Sequence, residues 1–148
     1  QMEYYAYDQK LALVAVFLQV ALTFYAVIRM AQVRIKSIRQ NRIRISDIAL
    51  DARRYPEDAQ KFANNLTNQF EFPMLLYVAV LFAMVYDAFS LAFAWLCIGF
   101  VATRYLHRYI HVTSNDVVRR FQVFLVGIVL LSLAWLVLGL NVLGWVSI

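Results

Sequence analysis

At 148 residues the chain suits one domain, but 63% of it is hydrophobic and only 16% charged, against about 45–50% and about 25% in a soluble domain. The apolar residues fall into four blocks separated by short segments that hold nearly all the charge, as expected where lipid is the solvent. This excludes an independent water-soluble domain. The net charge of +5 calls for no nucleic acid, since membrane topology and anionic headgroups account for it.

The first block runs from Leu11 to Ile28 with Gln19 and Thr23 as its polar breaks, and predicts a helix over about 9–33. No basic stretch precedes it, so it does not read as a cleavable signal peptide. Glu3, Tyr4, Tyr5, Tyr7 and Asp8 suit an interfacial anchor. A basic segment, 34–61, follows as a predicted loop.

The second helix is predicted over about 62–86. Asn65, Asn68 and Gln69 share one face of its opening, with Lys61 one turn earlier. Pro73 leaves the Gln69 carbonyl without its usual helical donor and bends the helix there. The amides serve either to bond neighbouring helices or to hold a ligand. Asp87 and its neighbours then turn the chain, which predicts a tight antiparallel hairpin with a third helix over about 88–111. Near the end of that helix Arg104, His107 and His111 lie on one face. Cations there are also favoured by the helix dipole. Two histidines alone do not make a metal site, and only Glu71 and Asp116 are in prospect as further ligands, so no metal is expected.

The fourth helix is predicted over about 119–146. Arg119 and Arg120 at its start oppose the helix dipole, which points to anion binding or topology. Thr113, Ser114, Asn115 and Asp116 supply N-caps. Cys97 is the single cysteine and sits mid-membrane, where neither an internal disulfide nor a nucleophilic role is expected. No phosphate-loop, dinucleotide or zinc-finger spacing occurs.

The fold class expected is therefore an all-α membrane protein with four transmembrane helices in an antiparallel bundle. All basic residues but Lys10 lie in or beside two segments, 34–61 and 112–119, and the positive-inside rule places both in the cytoplasm and both termini outside. The polar clusters combine into a cationic pocket at the cytoplasmic membrane boundary. It suits a small anionic molecule rich in carbonyl groups, with a second, aliphatic substrate arriving from the lipid.

The stretch Asn-Leu-Thr-Asn-Gln-Phe-Glu-Phe-Pro at 65–73 and the segment Arg104 to Arg120 resemble the MAPEG family, the membrane-associated proteins in eicosanoid and glutathione metabolism, in its uncharacterised bacterial-type branch. The resemblance covers most of the chain. It implies a four-helix membrane fold spanning 1–148 as one domain, a homotrimer, a bacterial inner membrane location and glutathione as co-substrate. It implies that Arg34, in Gln32-Val33-Arg34, reaches glutathione, that Lys61 stands one turn before the family's asparagine at Asn65, and that Arg104 and His107 match its Arg-x-x-His. Arg120, sixteen positions beyond Arg104, would stabilise the glutathione thiolate. The sequence departs from the family where a glutamate becomes Asn68, a tyrosine becomes His111, and a serine and a tyrosine become Phe121 and Phe124.

Two functions stay open on this reading. One is a glutathione-dependent transferase or peroxidase acting on lipophilic electrophiles, with Arg120 as catalytic residue and Arg34, Lys61, Asn65, Asn68, Gln69, Arg104, His107 and His111 binding glutathione. The other is a non-catalytic subunit that keeps the scaffold and binds lipid or a larger membrane complex.

Overall fold

The computed structural model describes residues 6–41 and 71–145. These contain four helices: α1 (Tyr7–Asn41), α2 (Pro73–Tyr86), α3 (Leu91–Val112) and α4 (Val117–Val142).

α1 runs on past the expected boundary, so Arg34 and the seven residues that follow it are helical and not part of a loop. The reason is local. Residues 29–41 contain neither glycine nor proline, and basic residues such as Arg39 in the last turn complement the helix dipole. A helix of 35 residues is about 52 Å long, which exceeds a hydrocarbon core of about 30 Å. The basic end therefore projects beyond the apolar run.

The helix expected over 62–86 is interrupted where the proline predicts a bend. Glu71 is helical, Phe72 forms a bend, and Pro73 opens α2 at its first position, where its missing N–H costs nothing. Residues 62–70 lie outside the described residues. At the other end of α2, Asp87 adopts a left-handed conformation (φ 49°), and the Ala88 amide donates to the Ala83 carbonyl at 2.9 Å, closing the helix in the manner of a Schellman turn. α3 starts three residues later than expected, because Ser90 caps it by accepting from the Phe93 amide at 3.2 Å. α4 starts two residues earlier than expected and ends at Val142. Its cap, Asp116, accepts from the amides of Val118 and Arg119, so only residues 113–116 of the segment 112–119 lie outside helices.

The tight pairing expected between the second and third helices is not found among the described residues. α3 packs most extensively on α4 and next on α1, while α2 leans on α4 and α1 and scarcely touches α3. The buried stripe of α3, Phe93, Ala94, Cys97, Phe100 and Val101, fits against small residues elsewhere: Ala12 and Ala15 of α1 and Gly127 and Ala134 of α4. Small side chains let membrane helices approach closely. At Gly127 the approach leaves no room for a side chain, since a Cβ there would stand 2.6 Å from Thr103 Oγ1.

Large apolar side chains face outward from α1 and α4. Phe17, Phe24, Val129 and Leu136 are all more than half exposed, an arrangement stable in lipid and costly in water. Tyr7–Gln40 and Val117–Val142 are long and apolar enough to cross a membrane. α2 is apolar but has only 14 residues, about 21 Å. α3 is long enough, but its last turns carry Arg104, His107, Arg108 and His111.

Candidate polar cluster at the ends of α3 and α4

α3 changes character at Arg104. The face that buries Phe93, Cys97 and Phe100 continues through Arg104, His107 and His111, because residues three and four apart stack on one side of a helix. These three side chains are 2%, 4% and 5% exposed, so charge and imidazole replace carbon without leaving the packed face. Buried polar groups need partners, which makes this the unusual part of the molecule. The rings of His107 and His111 meet edge to face at 5.9 Å. Arg104, His111 and Arg120 all lie within electrostatic reach of His107, and Glu71 lies within reach of Arg104. His107 Nδ1 is buried and has no hydrogen-bond partner among the described residues.

Arg120 enters from α4. Its backbone amide donates to the Asp116 carbonyl at 2.9 Å, and Nη1 donates to Asn115 Oδ1 at 2.7 Å. Asn115 holds a left-handed backbone (φ 51°), which asparagine tolerates better than most residues. Arg119 points outward, its side chain three-quarters exposed, and pairs with Asp116 at 3.5 Å. The carboxylate of Asp116 thus sits at the helix start that the two arginines would otherwise burden.

Phe124, one turn further along α4, closes the cluster. Its ring lies 5.3 Å from Phe72 in an edge-to-face contact and 6.3 Å from His107. Carbon therefore fills the place beside the histidine where the family resemblance leads one to expect a hydroxyl.

Of the residues singled out from sequence, the structure brings Arg104, His107, His111 and Arg120 together. Arg34 lies on α1 with its Nε buried. Lys61, Asn65, Asn68 and Gln69 lie outside the described residues. Among the described residues no three His, Cys, Asp or Glu side chains gather into a metal-ligand set. Asn115 as the partner of Arg120 was missed, while Phe124, named in sequence as a departure from the family, stands beside His107. The positive φ that singles out Asn115 has no sequence marker beyond its residue type. Also missed were two bonds that tie α1 to its neighbours: the Tyr105 hydroxyl donates to the Leu18 carbonyl at 2.7 Å, and the side chains of Tyr77 and Thr23 are hydrogen-bonded.

No curated protein and no solved structure matches the chain. A family model does, that of the MAPEG family, over residues 12–140. That range runs from the buried alanines of α1 to the last turn of α4, and so includes most of both long apolar helices and the whole of the cluster. With four helices among the described residues, two of them apolar enough to cross a membrane, and a family match over most of its length, this membrane protein belongs to the MAPEG family.

Proposed function

We propose that the protein is a glutathione-dependent membrane transferase or peroxidase acting on lipophilic electrophiles. The observation that carries this reading is the gathering of Arg104, His107, His111 and Arg120 at the polar ends of α3 and α4, with His107 Nδ1 buried and without a hydrogen-bond partner among the described residues. Membership of the family supports a glutathione-linked function at the family level. A buried cationic cluster with an open imidazole nitrogen fits an anionic peptide, whose carboxylates pair with guanidinium groups in bidentate fashion. In this reading Arg34, Lys61 and Arg104 hold carboxylates, and Asn65, Asn68, Gln69, His107 and His111 bond the peptide groups. Bound glutathione supplies the nucleophilic thiol. Arg120 places a positive charge beside the sulfur, drawing its pKa down from about 8.5 toward neutrality and so raising the thiolate fraction. Asn115 is then a positioning residue that aims Arg120 from the loop.

The reading extends to the assembly. The protein is a homotrimer of a single domain, 1–148, whose four spans alternate in direction. The ring contacts support the alternation: α4 meets α2 through Phe124 with Phe72 and Trp135 with Phe82, and meets α3 through Phe124 with His107. The two basic segments face the cytoplasm of a bacterial inner membrane, and the lipophilic substrate arrives from the bilayer.

A second reading, a non-catalytic subunit on the same scaffold that binds lipid or a larger membrane complex, is favoured by Phe124, whose ring occupies the flank of His107 with carbon. One measurement separates the two. Glutathione titrated into the detergent-purified protein should bind saturably and produce a thiolate absorbance band. Arg120→Ala should lose that band and turnover while keeping the wild-type unfolding temperature. No binding at millimolar glutathione would sink the enzyme reading in favour of the second.

A further inference from the structure

The turn between α3 and α4 divides two adjacent side chains between two adjacent arginines. Asp116 is charged, and the start of α4 takes up its carboxylate. It accepts from the amides of Val118 at 3.1 Å and Arg119 at 3.2 Å, and it pairs with Arg119 Nε at 3.5 Å. Asn115 is neutral, and its Oδ1 accepts from Arg120 Nη1 at 2.7 Å. A guanidinium has only donors, so the amide must turn its oxygen toward the arginine.

Asn115 is also held on its other side. Its backbone amide donates to the Ile110 carbonyl at 2.7 Å, in the last turns of α3 next to His111. One residue thus joins the helix that carries the histidines to the arginine of the helix that follows, and Arg120 lies within electrostatic reach of His107. Asn115 does this from a left-handed backbone (φ 51°), which glycine, asparagine and aspartate adopt more readily than other residues. Of these three, glycine offers no side-chain acceptor. Aspartate would hold the guanidinium but offset its charge. Asparagine alone orients the arginine and leaves its charge whole.

We propose that Asn115 sets how strongly Arg120 stabilises the thiolate: it ties the guanidinium to the end of α3 through an acceptor that takes none of its charge. This role rests on the glutathione reading, and adds that one loop side chain governs both the aim and the effective charge of Arg120.

Two variants separate those contributions. Asn115→Gly keeps the positive φ and removes the acceptor, while Asn115→Asp keeps the acceptor and adds a charge. The measurement is a pH titration of the thiolate absorbance of glutathione bound to the detergent-purified full chain. Calorimetry with S-methylglutathione, which has no ionisable thiol, runs beside it. Both variants should move the thiolate midpoint upward. Asn115→Asp should move it by about one pH unit, a tenfold loss of thiolate below the midpoint and the lower end of what one opposite charge does to a neighbouring group. Asn115→Gly should move it less. S-methylglutathione should bind all three proteins equally, which a merely structural role would not allow. Glycine suits the turn's backbone, so that variant keeps the test decisive if the aspartate variant fails to fold. A midpoint unmoved or lowered in either variant overturns the role of Asn115 and leaves the glutathione reading standing. Weaker S-methylglutathione binding in both variants would assign Asn115 to the fold of the site and also overturn it. Absence of a thiolate band from the unmutated protein overturns both.

Discussion

Phe124 shows how one side chain bears on the chemistry around it. Its ring touches Phe72 and His107, so a hydroxyl at its para position would enter the neighbourhood of the histidine cluster. On the proposed function, Phe124→Tyr supplies a donor where none stands and should tighten glutathione binding about fivefold, the net worth of one hydrogen bond. Calorimetry on the two proteins checks this, and weaker binding would show that the ring's bulk matters more than a donor. Arg120 is the complementary case. Its residue type and place were readable in sequence, but its hydrogen bond to Asn115 was not. That bond depends on a turn in which Asn115 takes a positive φ, and four different residues of that segment are plausible caps. Only the geometry selects Asp116 as the cap and leaves Asn115 for the arginine.

At the scale of elements, the α3–α4 contact is the one on which the cluster depends, and Gly127 is its closest point. An added Cβ would meet Thr103 Oγ1 at 2.6 Å, and the Thr103 hydroxyl is itself held by the Phe100 carbonyl at 2.6 Å. Gly127→Ala should therefore lower stability by about 1–3 kcal/mol, the usual cost of overpacking, and Thr103→Ala in the same chain should restore part of it. Thermal unfolding in detergent reads both effects, and an unchanged midpoint for Gly127→Ala would mean the two helices separate freely. The other element-level lesson concerns α1. Its apolar run is plain in sequence, but the charge that follows it does not mark the end of the helix. Thirteen consecutive residues without glycine or proline carry the helix on, and a basic C-terminal end is what the helix dipole favours.

For the whole molecule, the alternating four-span reading places Ser114 on the cytoplasmic side and Trp145 on the other. Both are exposed, while the native Cys97 is fully buried. In intact cells a membrane-impermeant maleimide should thus label Trp145→Cys and spare Ser114→Cys. Inverted vesicles should give the reverse, with the unmutated protein silent in both. Labelling of both positions from one face would overturn the alternation.

The sequence by itself determined the solvent. Four apolar blocks with charge confined between them can be stable only where lipid meets the outward side chains, and that follows from composition without any coordinates. It also determined that Arg104, His107 and His111 share a face, since helical spacing alone requires it. Tertiary structure decided what that face meets. Among the described residues α3 packs chiefly on α4 and α1 and little on the helix that precedes it, with a close approach at Gly127 and small buried residues on α1. That choice brings Arg120 to His107 and sets Arg29 beside Arg108. Neither pairing is readable in sequence, where the partners stand 13 and 79 positions apart, because periodicity describes one helix at a time and says nothing of which faces will meet.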